Sequence, residues 1–575
     1  MRLKLVVLVS KVASRIQKEL SFTRLHFKLA TVLILALAFF LHPTMSLASY
    51  QTFESLGGIS VIEGADGSGT IVSLIKANNA DSGTEIPCWE GINDPTCSGK
   101  SLRAGIFLLP CSEQNSIGCT VDVYAISKTG EKLPAKFIRS VGDSSLTDFP
   151  QSITNRLPQG TGIGGIWQIP GLNHGGGSDL YAVQNRLAGS TDRNLVGGVF
   201  NLNSAQFQIS AFTTISGDFR TPLVDNSSGT IGFSGADPDC LMQEKGICFK
   251  RASMPPEYRF GMKVRVPNSL SGWFHGRISK PEFLITDSNA KAPGTFEYQI
   301  EADPVIVPIM TKLIPQSSWS KDFNDYAREQ WPMSHSGIIL RPGNNGKLAM
   351  ELSRRFLPMI KDKATGSEDF WLIKTLDSWR DGKTDETVDP RTSQCAADAL
   401  KVSGVVTTNA MVYSQGPPVY NEKEQSLDYK VLSPHFDEAG KENVGTYDLL
   451  IDGKVARCIY GFSSAPVKAQ IEVVSDAGEV KVATTVLGER DPWIYLSANG
   501  FTFSQPTLRV RLSQDKPEPV KVEETTPVAA PNKEVKQAAK PIVASKKKAI
   551  TCTKGKLIKK IVGASPKCPT GFKKK

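Results

Sequence analysis

The chain lacks the sequence patterns on which the commonest hydrolases depend. Neither the nucleophile elbow GxSxG nor a zinc-binding HxxxH pair occurs in its 575 residues. No two cysteines have the separation of about two to four residues that is usual in zinc sites. These absences disfavour an α/β-hydrolase and a zinc hydrolase, and we predict no cofactor and no metal site. The histidines after residue 48 are few and far apart: His174, His275, His335 and His435.

Long apolar runs are scarce as well. The longest, Leu29–Leu41, falls short of the roughly 20 residues that a membrane-spanning helix needs, and it follows a basic lead. Pro43 ends it, and Ser46-Leu47-Ala48 has small residues at the positions that a signal peptidase reads. This pattern predicts a signal peptide over residues 1–48, cleaved between Ala48 and Ser49, and hence no transmembrane span in the mature chain. An uncleaved anchor is the alternative.

Positive charge is concentrated at the two ends of the chain. The last 60 residues carry a net charge of +12 and the first 28 carry +6, whereas the whole chain carries +10. The part between them is therefore acidic, with a net charge of −8. The alkaline isoelectric point belongs to the termini and says nothing of nucleic acid, which export also argues against as a partner.

Cysteine usage agrees with export. Ten cysteines, an even number, are typical of a disulfide framework in an exported chain, although the sequence leaves the connectivity open. We predict pairing between neighbours because it closes the smallest loops. The predicted pairs are Cys88 with Cys97, Cys111 with Cys119, Cys240 with Cys248, Cys395 with Cys458, and Cys552 with Cys568.

Short apolar runs separated by Gly, Ser, Thr, Asn and Pro predict a mainly β protein. The length exceeds what one hydrophobic core usually organises, so we predict several domains. The predicted parts are β-rich domains over 49–193 and 194–308, a helical or mixed segment over 309–383, a β-sandwich over 384–514, a disordered Pro/Ala/Lys/Glu linker over 515–549, and a basic tail element over 550–575.

The strand pattern is clearest in the region 384–514. Eight short runs recur there, one of them Ala456–Phe462, and they indicate an antiparallel sandwich of the immunoglobulin-like or jelly-roll-like kind. In this interpretation the Cys395–Cys458 bond ties the strand that leads into the sandwich to a central strand.

The segment 309–383 has helical patterns instead. Ser320 is a candidate N-cap for a helix that runs to Gln330, and a second helix over Lys347–Ile360 should end near Pro358. Tryptophans and acids concentrate here, which leaves open a glycoside hydrolase, since that chemistry needs only two carboxylates beside a cleft. The residues concerned are Trp319, Trp331, Trp371, Trp379, Asp322, Asp325, Glu329, Glu368 and Asp369.

The tail from Ala549 to Lys575 contains eight lysines and no acid. A disulfide would stabilise a hairpin that is too small to have a core of its own. Such a polycation binds anionic polymers through release of their counterions. The predicted binding residues are Lys554, Lys556, Lys559, Lys560, Lys567, Lys573, Lys574 and Lys575.

The tail, with Thr551-Cys-Thr-Lys-Gly-Lys556 and Pro566-Lys-Cys-Pro-Thr-Gly-Phe-Lys-Lys-Lys575, resembles a short C-terminal element of many exported actinobacterial proteins. The region around Val405–Ala410 and Ala456–Phe462 is similar to one in exported multidomain β proteins of that group. The resemblance implies attachment or display at the cell envelope and no catalytic activity.

We therefore expect a non-enzymatic, exported protein retained at the cell surface or wall, with the tail binding anionic wall polymers or lipid headgroups. A non-catalytic glycan-binding or adhesive protein is the first alternative, and a secreted glycoside hydrolase is the second. The glycan or protein ligand of the β domains is not predictable from the sequence.

Overall fold

A computed structural model gives the chain two compact units, Met1–Asp515 and Lys516–Lys575, which we call the β body and the tail unit. The predicted signal peptide and nearly all of the predicted linker lie outside the described residues. The structure describes residues 56–61, 63, 73–78, 85–142, 148–191, 198–219, 240–330, 339–376, 390–397, 402–463, 467–474, 480–482, 484–490, 492–503, 507–514, 548–554, 557–563, 567–568 and 572–574.

Strands dominate the β body, which confirms the predicted mainly β class. The strands before residue 316 are β1 (Leu56–Val61), β2 (Leu74–Asn78), β3 (Glu85–Pro87), β4 (Leu102–Phe107), β5 (Cys119–Ser127), β6 (Lys132–Pro134), β7 (Lys136–Val141), β8 (Gly164–Gln168), β9 (Leu180–Val183), β10 (Arg186–Thr191), β11 (Phe200–Ser216), β12 (Cys240–Glu244), β13 (Ile247–Arg251), β14 (Tyr258–Pro267), β15 (Gly272–Asp287) and β16 (Thr295–Pro315). Those after it are β17 (Ile339–Leu340), β18 (Gly366–Thr375), β19 (Val402–Thr408), β20 (Val412–Tyr413), β21 (Val419–Asn421), β22 (Ser426–Leu432), β23 (Val444–Asp452), β24 (Lys468–Val474), β25 (Val480–Val482), β26 (Thr484–Arg490), β27 (Trp493–Thr502) and β28 (Thr507–Ser513).

Two of the helices lie where the sequence predicts them. Ser320 caps the first, because its Oγ accepts a hydrogen bond from the Phe323 amide at 3.2 Å. The second gives way at Leu357–Ile360 to a 3₁₀ turn that contains Pro358. The helices of the described residues are α1 (Lys321–Gln330), α2 (Gly346–Phe356), α3 (Pro390–Ala397) and α4 (Gly453–Tyr460), and the other 3₁₀ turns described are Gly91–Asn93, Pro95–Cys97 and Gln316–Ser318.

The strand predicted at Ala456–Phe462 is wrong, because α4 occupies this position. Asp452 caps the helix by accepting hydrogen bonds from the amides of Lys454 and Val455 at 2.8 and 3.1 Å. Gly461 ends it in the left-handed region, with φ at 69°. The Cys395–Cys458 disulfide therefore joins α3 to α4 and not a strand to a strand.

One continuous path of hydrogen-bonded strands runs through the β body. Its order is β3–β2–β4–β10–β11–β18–β15–β19–β23–β27–β26. The pairing is antiparallel except between β15 and β19. β15 and β16 are long enough to leave this path and pair with each other, and β14 and β5 continue from them. These long strands link the parts of the sequence into one sheet system.

A second sheet covers the C-terminal part of this system. It is made of β20, β21, β22, β28, β24 and β25. A core between it and β23 and β27 contains Tyr429, Tyr447, Leu496 and Val510, all fully buried. This two-layer arrangement agrees with the sandwich expected over 384–514.

Two of the predicted domain boundaries fall inside a strand or between two paired strands. The boundary at 308/309 lies inside β16, and β10 pairs with β11 across that at 193/194. The division between the two compact units comes at Asp515, where the predicted linker begins.

The predicted disulfides are present in the described part of the chain. The bonds are Cys88–Cys97, Cys111–Cys119, Cys240–Cys248 and Cys395–Cys458. Cys568 is disulfide-bonded too, while the side chain of its predicted partner Cys552 lies outside the described residues.

Candidate functional site

The tail unit contains the predicted hairpin. β29 (Lys548–Lys554) and β30 (Leu557–Gly563) are antiparallel, and Lys554 pairs with Leu557 at the turn. A short strand, β31 (Lys573–Lys574), adds to the other edge of β29. The chain terminus is therefore folded back onto the hairpin.

The strand register brings several of the predicted lysines to neighbouring positions. Cys552 pairs with Lys559 on one side and with Lys574 on the other. Lys567, Lys573 and Lys574 are exposed. Lys556 and Lys575, and the side chains of Lys554, Lys559 and Lys560, lie outside the described residues.

A cleft of about 690 Å³ opens in the β body between the β14–β16 strands and the β26–β27 hairpin. Its apolar part includes Phe283, Leu450 and Trp493, and its polar part mixes both signs of charge with amide and hydroxyl groups. The polar and aromatic lining residues are Arg259, Lys280, Glu282, Gln299, Glu301, Arg490, Tyr495, Ser497 and Asn499. An apolar floor with a few convergent polar groups is the usual form of a small-molecule site.

A bulge in β15 shapes one wall of this cleft. Lys280 has a φ of 49°, in the left-handed region, and the strand register shifts between Ser279 and Glu282. The buried carboxylate of Asp448 holds the bulge by accepting a hydrogen bond from the Lys280 amide at 2.9 Å. The Tyr495 hydroxyl donates to the same carboxylate at 2.9 Å. The bulge is therefore fixed to the opposite wall.

Hydrogen bonds and ion pairs orient the polar groups of the cleft. Glu301 accepts from the Tyr124 hydroxyl at 2.6 Å and from the Gln299 amide at 2.9 Å. Glu282 stands directly opposite Glu301 in the strand register and lies 3.5 Å from an Arg259 nitrogen. Burial raises the pKa of Tyr495, and the Asp448 charge raises it further, so that this hydroxyl stays a donor.

Two of the tryptophans and four of the acids that the sequence singles out in the region 309–383 pack against or pair with neighbouring residues. Trp371 is fully buried, and its Nε1 donates to the Ala302 carbonyl at 3.1 Å. Trp319 packs edge-on against Phe323, whereas Trp331 and Trp379 lie outside the described residues. Four of the acids bond to neighbours: Asp322 to Arg355, Asp325 to Lys321, Glu368 to Arg251, and Asp369 to the Met254 amide.

A group of charged side chains that the sequence did not single out lies in the interior. Arg277 is fully buried and pairs with Glu63 through Nε at 2.8 Å. Lys374 Nζ lies 3.2 Å from the other oxygen of Glu63, and the amide of Asn344 donates to the first oxygen. We call these four residues the buried charge group. The positions span more than 300 residues of sequence, so no local motif reveals them.

The rings of His275 and Tyr413 pack beside the buried charge group. His275 stacks face to face on Tyr413 at 3.5 Å between ring centres, and Arg277 lies over the same tyrosine ring at 4.6 Å. Burial, followed by the positive charges of Arg277 and Lys374, holds the pKa of His275 well below its ordinary value. Although burial acts to raise the pKa of Glu63, the same two cations keep it below the usual range. The histidine is thus neutral and the carboxyl ionised at physiological pH.

Within the described residues, no cluster of His, Cys, Asp or Glu has the arrangement that a metal ion needs. No helix of the described part is both long enough and apolar enough to cross a bilayer. No family model matches this chain, and neither a curated protein nor a solved structure matches it.

Proposed function

We propose that this protein is exported and retained at the cell envelope by its tail unit, which displays the β body. The observation that carries the proposal is the separate tail unit, whose segment 549–575 has eight lysines and no acid, in a chain whose residues 29–515 are acidic overall. Disulfides throughout the body support an oxidising environment. The partners would be anionic wall polymers or lipid headgroups, whose phosphates and carboxylates attract ammonium groups.

Sedimentation with purified cell walls tests this retention. We expect the mature chain to bind, and a chain that ends at residue 515 to bind at least about tenfold less, a difference of roughly 1.4 kcal/mol. Binding should weaken near 1 M salt, where the Debye length falls to about 3 Å.

Two full-length variants test whether wall binding depends on the positive charge of the tail or only on the presence of the tail. Replacing the eight lysines from Lys554 to Lys575 by Gln should release the protein, whereas replacing them by Arg should retain it, because only the first change removes charge. Equal binding by the Gln variant and the wild type would refute electrostatic retention.

A second function, non-catalytic glycan binding by the body, is favoured by the cleft beside β15. Trp493 and Tyr495 supply ring surface there, and Gln299, Asn499 and Arg490 supply groups that hydrogen-bond to sugar hydroxyls. Trp493 itself is oriented by a 2.7 Å hydrogen bond from its Nε1 to the Phe283 carbonyl.

Calorimetric titration with soluble wall polysaccharides tests the cleft. We expect Arg490→Gln with Asn499→Ala to weaken binding at least about tenfold, roughly 1.4 kcal/mol. Arg139→Gln, which removes an exposed arginine outside the cleft lining, is the control. Affinity unchanged in the double variant would exclude the cleft, and product release that Glu301→Gln abolishes would make it a glycoside hydrolase.

A further inference from the structure

The carboxylate of Glu63 bridges an amine and a carboxamide. Its Oε1 lies 3.2 Å from Lys374 Nζ, and its Oε2 accepts a hydrogen bond from Asn344 Nδ2. One carboxylate therefore contacts a nitrogen that can act as a nucleophile and a nitrogen that can act as a leaving group. A group that takes a proton from one and returns it to the other must lie within hydrogen-bond reach of both.

Distant parts of the β body hold these three side chains together. Lys374 is near the end of β18, directly opposite His275 of β15. Glu63 follows β1, and Asn344 lies between β17 and α2, where its carbonyl accepts from the Tyr413 amide at 3.1 Å. All three are buried, with relative exposures of 8% for Glu63 and Asn344 and 7% for Lys374. Water is largely excluded, and the geometry is fixed before any reaction.

Two cations meet one carboxylate in the buried charge group, because Arg277 and Lys374 both pair with Glu63. The neighbouring Arg251 pairs with Glu368 and also feels the charge of Asp369. Arg277 is committed to the structure, because it also donates to the carbonyls of Thr408, Ala410 and Met411. Of the two cations, lysine is the one whose nitrogen can act as a nucleophile, because an arginine guanidinium stays protonated.

We propose that Lys374 and Asn344 are joined by an intramolecular amide bond that forms after folding. Glu63 takes a proton from the Lys374 ammonium and so frees the Nζ lone pair, which attacks Asn344 Cγ. The carboxyl delivers this proton to Nδ2, and the Cγ–Nδ2 bond breaks to release ammonia. Glu63 then takes a second proton from the newly attached Nζ and passes it to the ammonia, which leaves as an ammonium ion. Overall, an ammonium side chain and a carboxamide give a secondary amide and an ammonium ion, with one bond formed, one broken and no change of oxidation state.

The product leaves one buried cation fewer beside Glu63. The positive charge leaves as ammonium, and Glu63 with Arg277 remains as a neutral ion pair beside a neutral amide. The bond fastens β18 to the segment before α2, in a part of the body that contains none of the described disulfides. This inference does not depend on the function of the tail or of the cleft.

Peptide mapping of the full, disulfide-reduced mature chain tests the proposal directly. We expect one branched peptide that contains residues 344 and 374, lighter than its two components by the mass of one ammonia, and no proteolytic cleavage after Lys374 by trypsin. Recovery of Asn344 and Lys374 in separate linear peptides of the folded wild type would overturn the proposal, and so would conversion of Asn344 to an acid.

Variants test whether Glu63 is the proton acceptor in this reaction. Glu63→Gln keeps the shape but removes the proton acceptor, so we expect loss of the branched peptide. Asn345→Ala is the matched control, because this neighbouring amide makes no cap hydrogen bond, and it should leave the branched peptide unchanged. A Glu63→Gln chain that still carries the link would exclude the role of Glu63. The wild-type map decides the link itself, even if this variant does not fold.

Discussion

The buried charge group gives the sharpest stability prediction, through the substitution Arg277→Met. Arg277 has no exposed surface and donates to Glu63 at 2.8 Å, to the Thr408 carbonyl at 3.1 Å and to the Met411 carbonyl at 3.0 Å. Methionine fills similar space but donates a hydrogen bond to none of these acceptors. Breaking a buried pair by removing one partner costs about 3–5 kcal/mol.

Urea denaturation followed by tryptophan fluorescence measures the change in unfolding free energy. The matched control is Arg139→Met, because Arg139 also pairs closely with a carboxylate, Glu244, but is half exposed. An exposed pair contributes at most about 1 kcal/mol, so this variant should stay near the wild type. If Arg277→Met loses no more stability than Arg139→Met, Arg277 does not stabilise the interior as argued.

Three further predictions concern other parts of the body. Burial depresses the pKa of His275, so below about pH 6.5 the unfolded chain binds a proton that the folded chain does not bind. The free energy of unfolding should therefore fall by up to about 1.4 kcal/mol per pH unit on acidification. His275→Phe should flatten the dependence of the urea midpoint on pH. Removal of the Cys395–Cys458 bond by a double alanine substitution should lower the free energy of unfolding by about 4 kcal/mol, and removal of Cys240–Cys248 by roughly 2.5 kcal/mol, because the first bond closes the longer loop. Equal losses of stability for the two variants in calorimetry would contradict this chain-entropy argument. Asp452→Ala should cost about 1 kcal/mol through loss of the α4 cap, while Asp452→Asn should be nearly neutral in the same denaturation assay.

Local signals predicted local features well. The helix after Ser320 and the helix near Lys347 form where the residue pattern indicates. Neighbouring cysteines pair because short loops keep them close in space. The error at Ala456–Phe462 also has a local cause: a short, mainly apolar run resembles a strand, while the cap at Asp452 and the stop at Gly461 signal a helix.

The two candidate sites differ in how far the sequence predicts them. The tail can be recognised from the sequence, because its lysines and cysteines lie close together along the chain. The cleft is not, because it forms where β15, β16 and β27 come together and where the amide of Lys280 meets Asp448, 168 residues away.

Sequence alone determined the charge distribution and the β character of this chain, and it favoured the disulfide pairs of close neighbours, because each of these features depends on residues within one short segment. Tertiary structure alone decided that Glu63, Asn344, Arg277 and Lys374 share one interior position. That outcome depends on which distant strands pair, such as β15 with β18 and β19, and pairing is set by the packing of the whole sheet.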